Sequence, residues 1–408
     1  YVKGAPDVLL KISSHILIKG KKIKLDEKLR KNILDKNHEF SSNALRVLGF
    51  AYKEDKIDSI EDLTFVGLQA MIDPPRDTVK DDIERCHNAG INVKIVTGDY
   101  IGTAIAIGSQ IGISGKSITG EELEKLRDDE LSKLVEKYDI YARVNPEHKL
   151  RIVKSLQNLG YVVAVTGDGI NDAPALKKAD IGIAMGISGT DVSKEASDMI
   201  LRDDNFHSIV NAVEEGRIVY SNIQKFVTYI LSVNASELLI ILLSISLGWP
   251  LPLLATQILF INLVTDGLPA LALSIDPPSK DVMSKKPKDK KSSIITKNLL
   301  VYIFLMNLLV TIGVLGLFNY YIQNHGIETA RTIAFTSLVT IELLAVYLIR
   351  SLFNIPIFSK NKYLNLSILV SFLLQLLILY SPLKGFFDVV SLSLNDWLAI
   401  ISVSFSIV

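Results

Sequence analysis

Tyr161-Val162-Val163-Ala164-Val165 runs directly into Thr166-Gly167-Asp168-Gly169-Ile170-Asn171-Asp172-Ala173-Pro174-Ala175-Leu176. The apolar run reads as a strand, and the small and acidic residues after it stop that strand. A second copy of the arrangement lies upstream, where Ile91-Asn92-Val93-Lys94-Ile95-Val96 leads into Thr97-Gly98-Asp99. Around both copies, short apolar runs alternate with amphipathic helical stretches, so an α/β fold with a parallel sheet is predicted. In such sheets ligands bind just past the carboxyl ends of the strands, where both tripeptides fall. A Thr hydroxyl and Gly N–H groups suit phosphate oxygens. Asp168 and Asp172 are spaced to hold Mg²⁺ at the same place. Between the copies, Asn145-Pro146-Glu147-His148-Lys149 supplies a lysine to balance phosphate charge. One Thr-Gly-Asp alone would read equally well as a turn; two copies and the long run after Thr166 are far more specific.

Beyond this half the composition changes. The 408 residues carry 44 basic and 44 acidic side chains, and that balance argues against a nucleic-acid partner. The mean hydropathy is +0.31, high for a soluble protein. The last 183 residues hold only 12 Lys/Arg and 9 Asp/Glu. Apolar runs able to span a bilayer recur at 226–247, 253–274, 298–321, 332–352, 363–380 and 394–408, six in all. The last is short and stops without polar flanks. With Tyr1 as the first residue, this predicts a fragment of a longer chain. The single cysteine, Cys86, excludes a disulfide framework and a cysteine-based zinc site, and sits on an amphipathic helix as a structural residue. The six histidines show no metal-ligand spacing.

The loop after the second span holds Lys280, Lys285, Lys286, Lys288, Lys290, Lys291 and Lys297, and the loop after the fourth holds Arg350, Lys360 and Lys362. The loop between the third and fourth has only Arg331. The positive-inside bias therefore places the two basic loops, and with them the soluble half, in the cytoplasm. Three ionisable side chains fall well inside the spans: Glu237, Asp266 and Glu342. A buried carboxylate without a basic partner must be protonated or bind a cation. Asn234 lies three residues before Glu237 on the same helical face; Asn262, Thr265 and Asp266 share another. Gly267 and Pro269 can loosen that helix and free carbonyls. Carboxylates, amide oxygens, a hydroxyl and carbonyls are the hard oxygen set that Ca²⁺ prefers.

These residues resemble the P-type cation-transporting ATPases, most closely the calcium pumps of the sarcoplasmic/endoplasmic reticulum kind, along essentially the whole chain. Lys3-Gly4-Ala5-Pro6-Asp7 is similar to the nucleotide-domain Lys-Gly-Ala-Pro-Glu motif, with Asp for Glu. Asp73-Pro74-Pro75-Arg76 resembles the hinge into the phosphorylation domain, and 97–99 and 166–176 resemble that domain's signatures. Val264-Thr265-Asp266-Gly267-Leu268-Pro269-Ala270 and Val339-Thr340-Ile341-Glu342 resemble the membrane calcium site. The resemblance implies a haloacid-dehalogenase-like (HAD-like), Rossmann-type α/β part followed by an all-α transmembrane bundle. It implies domains at 1–70 (nucleotide-binding), 71–220 (phosphorylation) and 221–408 (membrane). Lys3 and Arg46 would contact ATP. Thr97, Gly98 and Asp99 would surround the transferred phosphate, with Arg143 and Lys149 supplying charge. Asp168 would hold Mg²⁺ beside Asn171 and Asp172. Asn234, Glu237, Asn262, Thr265, Asp266 and Glu342 match ligands of two Ca²⁺ sites. A sodium–potassium pump would carry Asp where Asn262 stands.

The implied activity is ATP-driven Ca²⁺ export through an aspartyl phosphate, with protons counter-transported across the lipid bilayer. A long helix from about Ser221 would carry movement to the ion site. The membrane would be a prokaryotic plasma membrane. Na⁺ and Mn²⁺ are alternative cargoes. The chain departs from the family pattern in lacking Asp-Lys-Thr-Gly-Thr, an actuator domain and four membrane helices. It is therefore expected to be inactive without the remaining N-terminal part of the pump. A soluble phosphatase-like hydrolase on a membrane anchor would need its own nucleophilic aspartate at a strand end, and no candidate has suitable neighbours. A degenerate, non-catalytic fragment is the other alternative. Thr119-Gly120-Glu121 resembles a dephosphorylation motif of ion pumps, but before a charged helix predicted over 122–138 it reads as a helix cap.

Overall fold

The computed structural model describes residues 1–43, 45–54, 60–72, 74–290, 292–356 and 360–408. Asp73 of the expected hinge and Lys291 of the basic loop lie outside the described residues. The chain divides into two compact units, Tyr1–Ala212 with Met283–Lys290, and Val213–Val282 with Lys291–Val408.

The first unit begins with β1 (Val2–Gly4), β2 (Ser13–Ile18), β3 (Lys21–Lys24), β4 (Leu45–Tyr52) and β5 (Leu63–Ile72). They form one sheet in the order β1-β4-β5-β2-β3, antiparallel except where β2 runs parallel to β5. Leu9 and Leu10, from the helix Pro6–Lys11, pack on Ile16, Ala51, Leu63 and Phe65 to make its core. Gly49 is required there, because a Cβ would sit 3.2 Å from both the Phe65 ring and the Pro6 backbone.

The remaining strands pair in parallel, as predicted from the βα alternation. They are β6 (Ile95–Val96), β7 (Lys116–Thr119) and β8 (Tyr138–Ala142), ordered β6-β8-β7, and β9 (Ala164–Gly167), β10 (Ile181–Met185) and β11 (Met199–Leu201), ordered β11-β10-β9. Both signature runs make shorter or later strands than expected. In the first, the Ile91 N–H donates to the Cys86 carbonyl, closing the helix Val79–Asn88, so the ladder starts only at Ile95. In the second, the Asp180 carboxylate takes the Val163 N–H, and pairing starts at Ala164 and runs through Gly167. In place of the single charged helix expected over 122–138 there are two short helices, Gly120–Glu124 and Asp128–Leu134, and Tyr138 already opens β8. The second starts afresh because Glu130 accepts from the Arg127 N–H. Thr119 and Glu122 form a reciprocal capping box, as the sequence predicts.

Among the described residues, five helices are long and apolar enough to cross a membrane: Phe206–Ser246, Ala255–Ser274, Lys297–Asn324, Ile327–Leu352 and Lys362–Tyr380. The sixth expected span is the shorter helix Leu394–Ile407. The long helix begins at Phe206 rather than near Ser221. Its first turns carry Glu214, Glu215 and Arg217, which conceal helix from a hydropathy reading. At 1.5 Å per residue its 41 residues extend about 60 Å. Ile327–Leu352 is the most enclosed of the five and supplies Phe335, Leu338 and Val339 to the largest apolar core. The second span is not one regular helix. An α-helix Ala255–Phe260 passes into a π-helical turn, Ile261–Thr265, before α-helix resumes at Gly267–Ser274. The loosening expected from Gly267 and Pro269 thus occurs just before them.

Candidate functional site

The first unit brings the phosphate-type residues together through a continuous set of contacts. Thr97 and Asp99 leave the end of β6, and their carbonyls accept from the Val144 and Arg143 N–H groups at 3.2 and 3.1 Å. Thr97 Oγ1 accepts from the Asp99 N–H at 3.1 Å, which fixes the turn between them. Gly98 at its tip is exposed, and a Cβ there would meet nothing within 4 Å, so a ligand has room. Asn145 follows directly and caps the helix Pro146–Asn158 by accepting from the His148 N–H. That helix projects Lys149, whose Nζ meets Asp172 Oδ1 at 2.5 Å.

Asp168 and Asp172 do different work. Asp172 is buried, and its other oxygen accepts from the N–H groups of Asp168 and Gly169, both at 3.2 Å. Its carboxylate is therefore a brace for the turn after β9. Gly167 matches it, because a Cβ would sit 2.5 Å from Asp172 Cβ. Asp168 is exposed at the strand end, and its carboxylate makes no hydrogen bond among the described residues, which leaves its oxygens available to a cation such as Mg²⁺. Asn171 is exposed beside it.

Lys3, in β1, is exposed; Arg46, in β4, is exposed and 3.9 Å from Asp99. Arg143 makes a contact the sequence did not reveal: both its terminal nitrogens donate to Asp7, each at 2.8 Å, and its guanidinium lies 5.2 Å from the centre of the Tyr100 ring. The bidentate hydrogen bond from Arg143 holds the Asp7 carboxyl below its ordinary range, against the opposing effect of partial burial. Asp7 is the residue that replaces Glu in the Lys-Gly-Ala-Pro motif.

In the second unit, three acids from three helices are enclosed by apolar side chains. Glu237 is 5% exposed, Asp266 1% and Glu342 2%. Asn262 Nδ2 donates to Glu237 Oε2 at 2.8 Å. The remaining Glu237 oxygen has no hydrogen-bond partner, and one Asp266 oxygen and both Glu342 oxygens have none beyond the contact between these two carboxyls. Asp266 lies within electrostatic reach of both glutamates. Unpaired oxygens on three enclosed acids are a costly arrangement in apolar surroundings unless a cation or protons fill it. No three carboxylates or histidines among the described residues lie close enough to hold a metal alone. Amide, hydroxyl and carbonyl oxygens would have to complete a Ca²⁺ shell of six to eight. Thr265 is fully buried on the π turn, and its hydroxyl donates to the Ile261 carbonyl at 3.1 Å. Asn234 is exposed and makes no hydrogen bond among the described residues. Tyr229 was not legible as a site residue. It is fully buried about two turns before Glu237 on the same helix, and its hydroxyl donates to Asp266 Oδ1 at 3.3 Å.

Comparison with known proteins decides the family. Residues 250–408 match the model of the cation-transporting ATPase C-terminus, residues 1–78 that of the P-type ATPase cytoplasmic domain N, and residues 150–213 that of haloacid dehalogenase-like hydrolases. The chain belongs to the cation-transporting P-type ATPases. It is 42% identical over 419 residues to the calcium-transporting ATPase of Bacillus subtilis (strain 168), covering 98% of this chain and 47% of that protein. It is 42% identical over 382 residues to calcium-transporting ATPase 1 of Lactococcus lactis, covering 90% of this chain and 43% of that one. The human calcium-transporting ATPase type 2C member 1 is 39% identical over 416 residues, covering all of this chain and 45% of that protein. This P-type ATPase chain thus spans about half the length of the curated relatives it matches.

Proposed function

We propose that this chain serves an ATP-driven pump that moves Ca²⁺ out of the cytoplasm through an aspartyl-phosphate intermediate. The observation that carries the reading is the set of three enclosed acids, Glu237, Asp266 and Glu342, with four oxygens that have no hydrogen-bond partner beyond a contact between two of the acids themselves. The names of the relatives favour Ca²⁺ as the cargo. Asp266 and Glu237 would bind the ion with Asn262, Thr265 and Glu342, and Asn234 would join once covered. Acids without basic partners would take up protons when Ca²⁺ leaves, giving counter-transport.

In the first unit, Lys3 and Arg46 would contact ATP. Thr97 and Gly98 would offer hydroxyl and N–H to the transferred phosphoryl group, beside Asp99. Lys149, held in place by Asp172, would bring a fixed positive charge to it, with Arg143 nearby. Asp168 would hold Mg²⁺, which when bound neutralises charge on the phosphoryl oxygens.

The test is ATPase activity of the full-length protein in vesicles against a panel of ions. Stimulation by micromolar Ca²⁺, abolished in Glu237→Ala and in Asp266→Ala, is expected. Activity indifferent to Ca²⁺ but stimulated by Na⁺ or Mn²⁺ would refute the calcium assignment.

A further inference from the structure

Asp204 lies far in sequence from every residue assigned above, two positions before the long helix Phe206–Ser246. Its carboxylate accepts three successive backbone N–H groups: Gly186 at 2.6 Å and Ile187 at 3.0 Å on Oδ1, and Ser188 at 2.8 Å on Oδ2. Successive N–H groups converging on one anion form a backbone nest, and here the chain fills the nest with its own side chain. These bonds, that from Ile187 foremost, pull the Asp204 carboxyl down to about 2, so the plug stays charged at any working pH.

The plugged loop leads on to Asp168. Gly186 and Gly189 bracket it, and neither tolerates a side chain: a Cβ would lie 2.4 Å from the Leu201 carbonyl at one and 2.0 Å from the Met185 carbonyl at the other. One residue later, the Thr190 N–H donates to the Asp168 carbonyl at 2.8 Å, and Ser193 Oγ donates to the same oxygen at 3.1 Å. On its other side, the Asp168 N–H is held by Asp172. The Asp168 backbone is thus pinned at both its polar atoms, while its side chain makes no hydrogen bond among the described residues.

We infer that Asp204 is a positioning residue for Asp168: it fixes the loop 186–190 that in turn fixes the Asp168 carbonyl, and so aims the Asp168 carboxylate at the cation. This rests on the Mg²⁺ role given to Asp168 above. Groups hydrogen-bonded directly to a metal ligand typically alter metal affinity 10- to 100-fold when removed, and Asp204, acting through the intervening loop, should have an effect at or below the low end of that range. Ile187 and Ser188 are exposed, so water can meet their freed N–H groups in Asp204→Ala.

The experiment uses the full-length protein in vesicles. It measures the Mg²⁺ concentration giving half-maximal ATPase activity, nucleotide affinity in the presence of a chelator, and amide exchange over 186–190. Asp204→Ala should raise the Mg²⁺ midpoint several-fold, up to about tenfold, and leave nucleotide affinity unchanged. Asp204→Asn keeps one acceptor oxygen and should give a smaller shift in the same direction. If Asp204→Ala does not yield folded protein, Asp204→Asn decides by the same criterion. Faster exchange at 186–190 with an unchanged Mg²⁺ midpoint overturns the inference, because Asp204 then only braces its loop. A wild-type activity indifferent to Asp168→Asn overturns the Mg²⁺ role itself, and this inference falls with it.

Discussion

Asp276, two residues past the helix Gly267–Ser274, gathers more buried polar contacts than any of the expected ligands, and its replacement should unfold the second unit. Lys225 Nζ sits 2.9 Å from its Oδ2, and Arg350 approaches both oxygens, Nη2 at 3.1 Å and Nε at 3.2 Å. Asn361 Nδ2 donates to Oδ1 at 2.9 Å, and Asn222 Nδ2 to the Asp276 carbonyl at 3.0 Å. The side chains of Lys225, Arg350 and Asp276 are at most 1% exposed. Removing one partner of a buried pair while the other stays charged costs about 3–5 kcal/mol. Asp276→Asn removes a negative charge that both Lys225 and Arg350 meet, so a cost within that range applies, a shift of about two to three and a half decades in the unfolding equilibrium by the usual conversion of about 1.4 kcal/mol per decade. Lys225→Met should cost much less, on the order of 1 kcal/mol, because it leaves one cation facing one carboxylate and fills the space with an apolar chain. Both tryptophans, Trp249 and Trp397, lie in this unit, so their fluorescence during titration of micelles with a denaturing detergent reports its unfolding. Equal midpoints for Asp276→Asn and wild type, or a Lys225→Met variant as unstable as Asp276→Asn, would refute the charge argument.

Two further outcomes follow from the first unit. Thr119→Ala removes one half of the capping box with Glu122 and should lower stability by about 1 kcal/mol, read from the thermal midpoint, while ATPase activity stays at the wild-type level; a lost phosphoenzyme breakdown step would show that Thr119-Gly120-Glu121 is a dephosphorylation motif after all. Asp180 is held down to about 2, chiefly by Lys290, whose Nζ lies 2.7 Å away, and by the Val163 N–H. Its folded value lies below its unfolded value, so its stabilisation is complete above about pH 4 and disappears as pH falls towards 2. Protease protection of the segment Met283–Lys290, followed from pH 5 to pH 2, should fall in that window; Lys290→Ala should narrow the window, and protection lost already above pH 5 would refute the assignment.

What could be read without the structure was whatever is local along the chain. Alternation of apolar runs and helices gave the parallel β/α order, and hydropathy located the spans, because both depend on periodicity within a few residues. The three acids were visible for the same reason: a charge inside an apolar run stands out wherever it later packs. The partnerships were not visible. Asp7 with Arg143 joins residues 136 positions apart, and Lys225 with Asp276 joins residues 51 apart. Nothing in either local sequence marks those side chains as different from solvated charges. The start of the long helix was missed similarly: Glu214, Glu215 and Arg217 break the apolar run from which the helix was read, although charge on the polar side of a helix does not oppose helix.

The contrast between Asp168 and Asp172 shows what the fold adds to a motif. As sequence they are two acids four residues apart, equally suited to a metal. Gly167, lacking a Cβ, lets the chain turn close over Asp172, and Lys149 then neutralises that carboxylate at 2.5 Å. Once paired with a lysine and two backbone N–H groups, Asp172 has little capacity left for a cation, and the motif reduces to one outward carboxylate. The same separation holds in the membrane unit. Asp276 is saturated by cations and amides and so serves stability, whereas Glu237, Asp266 and Glu342 keep unpartnered oxygens and so remain available to an ion. Which buried acids bind a cation is therefore decided by what the fold leaves unpaired, and residue type alone could not separate them.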